Sequence, residues 1–142
     1  MKIAFGADHG GFQLKDYLLK ALGGKSYQLL DMGTDSAESV DYPDFARRVA
    51  RAVASGEADR GVLICRTGQG MCIAANKIRG ARAAHAYDPE AARLSRMHND
   101  ANVLCFGADF ITAENALHSL EIWLNTEFEG GRHQRRVSKL EQ

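Results

Sequence analysis

Residues 61–77, GVLICRTGQGMCIAANK, carry the strongest indication of fold class in this chain. They open with a continuous apolar run at 62–65, which is typical of a strand buried on both faces of a parallel sheet. A glycine-containing turn follows at 66–70, and residues 71–77 predict the first turns of a helix. A strand that feeds a helix through such a turn gathers backbone N–H groups and the positive helix end at one point, where anions bind.

Cys65 stands at the end of this predicted strand. Thiolates are favoured near helix N-termini, so Cys65 is a candidate base or nucleophile. The alternative is a small buried cysteine that ends a core strand. Two other motifs are excluded by single positions: Ile73 stands where a dinucleotide-binding GxGxxG needs its third glycine, and Met71 stands where a cysteine phosphatase needs arginine.

The same alternation of strand and helix continues on both sides of this stretch. We predict strands at 2–7, 27–30, 81–86 and 103–107, helices at 12–22, 45–53, 89–98 and 112–128, and a basic, helical tail at 132–142. Five strands alternating with helices predict an α/β fold, a three-layer αβα (Rossmann-like) sandwich around a five-stranded parallel sheet. The length of 142 residues predicts one domain spanning 1–142.

Composition restricts the class of protein and its partners. Hydrophobic residues make up 45%, charged residues 25%, and the formal net charge is zero, which predicts a globular protein without a nucleic-acid or membrane partner. No apolar run approaches membrane-spanning length. The three cysteines form no CxxC pair, which predicts a reducing compartment such as the cytoplasm, and argues against a disulfide framework or a metal site.

Several polar residues follow the predicted strands. Asp8-His9 and residues 65–67 each come directly after a strand, so the parallel sheet places them together at its carboxyl edge. His98 precedes a strand and falls at the opposite edge. Local alternatives remain open, because Asp8 and Asp41 are also typical turn or helix-capping residues and His98 suits a helix C-terminus.

The tail carries Arg132 and Arg136, four residues apart and hence on one helical face. Two arginines so placed can clamp a phosphate, although such a pair is more often a solvated basic face. His85 and His118 fall inside predicted elements, and we assign them no function.

The chain resembles the B-type ribose-5-phosphate isomerases, a family that includes allose- and galactose-6-phosphate isomerases. The resemblance covers nearly the whole chain and rests on six ordered blocks: GADHGGFQLK at 6–15, DYP at 41–43, CRTGQG at 65–70 with IAANK after it, LSRMHND at 94–100, NVLCFGA at 102–108 and EGGRHQRRV at 129–137. It implies a cofactor-free aldose–ketose isomerase that acts through a cis-enediolate, most simply on ribose 5-phosphate. A tetrose or hexose phosphate, such as erythrose 4-phosphate or allose or galactose 6-phosphate, is the alternative substrate. A non-catalytic phosphosugar-binding module is the alternative class.

The resemblance also implies roles for individual residues. Cys65 matches the base that moves a proton between C1 and C2, with Thr67 and the amides of 68–70 holding the oxyanion. His98 matches the ring-opening residue, with Asp41 near it. The implied substrate-binding residues are Asp8 and Asn99 for the sugar hydroxyls, His9, Arg132 and Arg136 for the phosphate, and Tyr42, Arg66, Gly68 and Gly70 around them. The family forms homodimers or homotetramers with the site at a subunit interface, so the tail at 129–142 is expected to pack on a partner.

Three positions depart from the family pattern. Arg66 stands where the family usually has glycine, Asp109 where it usually has an arginine that often binds phosphate, and Gln69 where an aliphatic residue is common. One interpretation is a relocated positive charge, with Arg66 serving the ligand or pairing with Asp109 across a subunit interface. The other is a neutral exchange in which Arg66 points to solvent.

Overall fold

The structure, a computed structural model, describes residues 1–141. Its elements are β1 (Lys2–Ala7), α1 (Phe12–Leu22), β2 (Gln28–Asp31), α2 (Tyr42–Ala54), β3 (Arg60–Cys65), α3 (Gln69–Ala75), β4 (Ala83–His85), α4 (Pro89–Asn99), β5 (Val103–Gly107), α5 (Ala113–Leu124) and α6 (Arg132–Val137). The five strands are all parallel and lie in the order β2-β1-β3-β5-β4. The predicted α/β sandwich is therefore confirmed.

The sheet separates two apolar cores. Alternate side chains of a strand point to opposite faces, so Val62 and Ile64 of β3 join the core beneath α1 and α5. Leu63 and Cys65 join the core beneath α2 and α3 on the other face. Burial on both faces explains why β3 reads as an unbroken apolar run.

Helix boundaries differ from the sequence prediction in four places. Helix α2 begins at Tyr42 rather than at Phe45, with Pro43 in its first turn, where a proline is tolerated. Helix α3 begins at Gln69, two residues early, because Gly68 takes a left-handed φ of 79° and serves as its N-cap. Helix α5 ends at Leu124, where the Thr126 hydroxyl donates to the Ile122 carbonyl oxygen at 2.7 Å. In the tail, helix is confined to 132–137, and Gln142 lies outside the described residues.

The carboxyl ends of β1 and β3 form the point where the strand order reverses direction. Ligands of open parallel sheets bind at this point. The loop after β1 approaches β3 closely, since the Asp8 amide donates to the Ile64 carbonyl oxygen at 3.2 Å. A Cβ on Gly11 would lie 2.3 Å from the Ile64 carbonyl oxygen, so this approach requires glycine.

A buried arginine joins α4 to α5. Arg96 donates from Nη1 to Oδ1 of Asp100 at 2.8 Å and to the Ala101 carbonyl oxygen at 2.7 Å. Its guanidinium carbon also lies 5.9 Å from the ring centroid of Trp123, whose side chain is fully buried. These contacts fix the end of α4, which carries His98 and Asn99. Among residues 1–141, no helix combines the length and apolar character required to cross a membrane.

Candidate active site

The sulfur of Cys65 lies at the carboxyl end of β3. The residue is only 5% exposed, and its Sγ accepts a hydrogen bond from the Gly68 amide at 3.2 Å. Two residues further on, the exposed Thr67 accepts a hydrogen bond through Oγ1 from the Gln69 amide at 3.3 Å. The turn therefore presents a thiol, a hydroxyl and polarised amides within a few residues, the groups that a proton transfer next to a developing oxyanion needs.

Asp8 and His9 flank this turn from the end of β1. Oδ1 of Asp8 accepts from the amides of Gly10 at 2.9 Å and Gly11 at 3.1 Å, so its carboxylate shapes the turn. His9 accepts from the Val40 amide through Nδ1 at 3.2 Å. Because Nδ1 accepts, Nε2 is the ring nitrogen left to donate a hydrogen bond to an anion.

A cavity of about 520 Å³ opens beside these residues, and its lining includes His9, Gly10, Arg66 and Asp109. Nη1 of Arg66 lies 3.9 Å from Oδ1 of Asp109, and both side chains are largely exposed. Two of the three departures from the family pattern therefore face each other within one chain at the edge of this cavity. At this distance and exposure their attraction is weak.

The start of α2 covers the same turn. A Cβ on Gly70 would lie 2.6 Å from the ring of Tyr42, so Gly70 allows the tyrosine to pack on the start of α3. Asp41 is exposed and occupies the N-cap position of α2, but its side chain makes no capping hydrogen bond. The prediction that the Asp41 side chain caps this helix is therefore wrong. Only the Asp41 carbonyl oxygen accepts a hydrogen bond at the helix start, from the Asp44 amide at 3.2 Å.

A second group of predicted site residues forms around α4 and α6. The ring of His98 stacks on that of His133, with centroids 4.4 Å apart and an interplanar angle of 18°. Together with Asn99 and Arg136 they border a cavity of about 240 Å³. Arg132 and Arg136 are both exposed.

The two groups lie at opposite edges of the sheet. Helix α4 returns from the carboxyl edge, and the segment that follows His98 is tied to the amino ends of the strands, where the Gly61 amide donates to the Asn102 carbonyl oxygen at 2.9 Å. No described residue lines both the cavity of about 520 Å³ beside His9 and the cavity of about 240 Å³ beside His98. One chain thus brings Cys65, Thr67, Asp8 and His9 together but not His98.

Burial, nearby charges and hydrogen bonds shift the pKa values of several groups. Burial lowers the pKa of His133, and the nearby charges of His98 and Arg132 lower it further. A hydrogen bond with Cys105 lowers the pKa of Cys72, while the same bond and burial raise the pKa of Cys105 well above its usual value. Cys105 is therefore an inert thiol in the core.

Sequence reasoning missed three residues that the structure places at the two groups. His133 and Glu129 lie beside His98, and only their presence in the quoted EGGRHQRRV block hinted at a role. His85 supports the Gly68 turn, since a Cβ on Gly68 would lie 2.7 Å from the His85 ring. No local pattern distinguished His85 from an ordinary strand residue.

Comparisons with known proteins identify the family of this chain. The family model described as Ribose/Galactose Isomerase matches residues 3–140. Ribose-5-phosphate isomerase B of Escherichia coli (strain K12) is 50% identical over 139 residues, covering 98% of this chain and 93% of the relative.

Solved structures give the same result. A structure described as Clostridium thermocellum ribose-5-phosphate isomerase B superposes with a TM-score of 0.97 at 51% identity, covering 99% of this chain and 95% of that one. The Mycoplasma genitalium ribose-5-phosphate isomerase B, described with bound ribulose-5-phosphate, gives a TM-score of 0.95 at 40% identity over 98% of this chain and 93% of that one. The chain belongs to the ribose/galactose isomerase family.

Proposed function

We propose that this protein is an aldose–ketose isomerase that interconverts ribose 5-phosphate and ribulose 5-phosphate. The observation that carries the proposal is the Cys65 sulfur, held at the strand end by the Gly68 amide and adjoining the Thr67 hydroxyl. Whole-length similarity to ribose-5-phosphate isomerases supports the same reaction, including one relative described with bound ribulose-5-phosphate.

The reaction moves one proton between two carbons. In the open-chain aldose, the Cys65 thiolate removes the proton on C2, the C2–H electrons form the C1–C2 double bond, and the carbonyl π electrons move to O1. Thr67 and the turn amides stabilise the resulting enediolate. The proton then returns to C1 while the O2 proton is lost and O1 is protonated, which leaves the ketose. In this proposal His98, with Asp41, opens the sugar ring beforehand by proton transfer.

The complete site requires two copies of the chain. The Cys65 group and the His98 group lie at opposite edges of one sheet, so a copy that presents His98, Asn99 and the tail arginines to its partner's Cys65 completes the constellation. Exposed apolar side chains near these groups support such an assembly: Tyr42, Ile73, Tyr87 and Leu140. Within it, His9 and the arginines hold the phosphate, and Asp8 and Asn99 hold sugar hydroxyls. The three free cysteines support a reducing location such as the cytoplasm.

A second candidate keeps the chemistry and changes the sugar. Arg66 and Asp109 border the cavity that also contains His9. The Arg66 side chain occupies cavity space that the usual glycine would leave open. The smaller space favours a shorter or differently configured sugar, such as a tetrose phosphate.

A turnover screen over four-, five- and six-carbon aldose phosphates tests the proposal. We expect the highest kcat/KM on ribose 5-phosphate and little activity on unphosphorylated ribose. A higher value for another sugar phosphate would favour the second candidate. Binding of these sugars without turnover of any would overturn the isomerase proposal and indicate a phosphosugar-binding module.

A further inference from the structure

Three side chains with metal-binding atoms converge at the end of α4. His98, Glu129 and His133 each offer a ring nitrogen or carboxylate oxygen, and these atoms all lie within 4.8 Å of one another. Two imidazoles and one carboxylate form a ligand set typical of zinc and related divalent transition metals. Residues 98 and 133 are 35 positions apart, so no short sequence motif indicated the cluster.

One ring nitrogen of His133 has an unmet hydrogen-bonding capacity. His133 is only 5% exposed, and its Nε2 is buried with no hydrogen-bond partner among the described residues. Buried polar atoms are almost always paired, so an unpaired one indicates a missing partner. A metal ion that accepts the lone pair of a neutral imidazole is such a partner.

The backbone holds the three residues next to one another. The Glu129 amide donates to the Met97 carbonyl oxygen at 3.1 Å, which fastens the segment after α5 to the last turn of α4. Gly130 and Gly131 then turn the chain with positive φ values of 71° and 57° and start α6, which carries His133. Ligands fixed by backbone contacts lose less entropy on binding than ligands on loose loops.

From this geometry we propose that His98, Glu129 and His133 form a binding site for a divalent transition-metal ion, with Zn²⁺ as the representative ion. Bond lengths of 2.0–2.2 Å around tetrahedral zinc place ligand atoms about 3.4 Å apart. The ligand atoms now lie within 4.8 Å of one another, and rotation of the exposed Glu129 and half-buried His98 side chains brings them to that distance. In this rotation the His98 ring leaves its stack on His133. A water or a substrate oxygen completes the coordination.

The metal has a functional consequence that rests on the proposed function. His98 is the ring-opening group of the proposed isomerase, and a metal bound to its nitrogen removes the lone pair that proton transfer needs. Metal at this site therefore inhibits turnover. The guanidiniums of Arg132 and Arg136 oppose a cation nearby, so the Glu129 carboxylate supplies charge that the site depends on.

Calorimetric titration of the full-length protein with ZnCl₂, in a buffer without phosphate, tests the site directly. We expect one strong site per chain that Glu129→Gln weakens at least tenfold, because the amide loses the anionic charge but keeps the shape. Glu127→Gln is the matched control, since Glu127 is another exposed glutamate of the same segment. Equal affinities for the parent and Glu129→Gln, or equal losses in both variants, would overturn the proposal.

A second measurement separates this cluster from the cysteines. Co²⁺ substituted for Zn²⁺ reports thiolate ligands through a charge-transfer absorption band, and we expect no such band. Its presence would place the metal on Cys65 or Cys72 and contradict the site. Shifts of the His98 and His133 ring nitrogens in NMR spectra on metal addition support it.

Activity assays then separate the two proposals. We expect Zn²⁺ to inhibit the parent and Glu127→Gln, and Glu129→Gln to keep parental turnover with at least tenfold weaker inhibition. Calorimetric binding at the cluster without inhibition would support the metal site while contradicting the role of His98 in ring opening.

Discussion

Cys65 combines burial with a defined polar environment, which distinguishes it from the other two cysteines. Replacing Cys65 by alanine removes the proposed base without adding bulk, so we expect kcat to fall by about 10²-fold or more while the melting temperature stays close to that of the parent. Steady-state assays and thermal unfolding measure the two effects. Cys72→Ala is the control and should retain activity. Near-parental turnover in Cys65→Ala would remove Cys65 as the base.

Arg66 and Asp109 are the two exposed departures at the cavity edge. Their 3.9 Å contact contributes less than about 1 kcal/mol to stability, so any effect of changing them should appear in substrate preference. We expect Arg66→Gly and Asp109→Arg to change the ranking of four-, five- and six-carbon sugar phosphates, with coupling in the double variant. Kinetics and ranking identical to the parent in all three variants would indicate a neutral exchange.

His85 links a half-buried imidazole, whose Nε2 is enclosed, to acid sensitivity. Burial lowers its pKa from the usual value of 6.5, so the unfolded chain binds the proton more tightly than the folded one. Its stabilising contribution is therefore present above about pH 6.5 and is lost as the pH falls below that value. We expect His85→Leu to flatten the decline of melting temperature between about pH 6.5 and pH 5, compared with exposed His118→Leu. The lowered pKa of His133 acts in the same direction and leaves part of the decline in place. An unchanged slope would contradict this account.

At the scale of elements, helix α6 presents the tail arginines. Both arginines are exposed in the single chain. This exposure fits a solvated basic face, and it equally fits a phosphate clamp that serves a partner's site. Because a phosphate is bound similarly in the ground and transition states, Arg132→Ala and Arg136→Ala should mainly raise KM, by about tenfold, with a small change in kcat. Exposed Arg135→Ala on the same helix is the control. Unchanged KM in both variants would leave the tail a solvated basic face.

The sequence predicted the elements well wherever local pattern and burial agree. Strand β3 is apolar on both faces because it is buried on both faces. The start of α3 was misplaced because it depends on the left-handed conformation of Gly68 beside His85, a tertiary contact. The His98–His133 stack was not predicted for the same reason, since α4 and α6 meet only in the fold.

At the scale of the whole molecule, the separation of the two groups makes a complementation test possible. Cys65→Ala damages one group and His98→Asn damages the other, so each variant alone should be nearly inactive. If two chains share each site, mixed assemblies restore some sites that carry both intact groups. We expect unfolding and refolding the two variants together to recover up to about a quarter of parental activity in a dimer, because half the assemblies are mixed and each has one intact site. Assays of each variant refolded alone are the control, and no recovery in the mixture would contradict a shared site.

Trp123 is the only tryptophan of the chain, and it is fully buried against Arg96 between α4 and α5. Its indole fluorescence therefore originates from one known place. Emission should be shifted to short wavelength and shielded from acrylamide quenching while α4 stays on α5, and both properties should change when these helices separate. Since the same arginine holds the residues that follow His98, the optical signal reports on the part of the molecule that carries His98, without any added label.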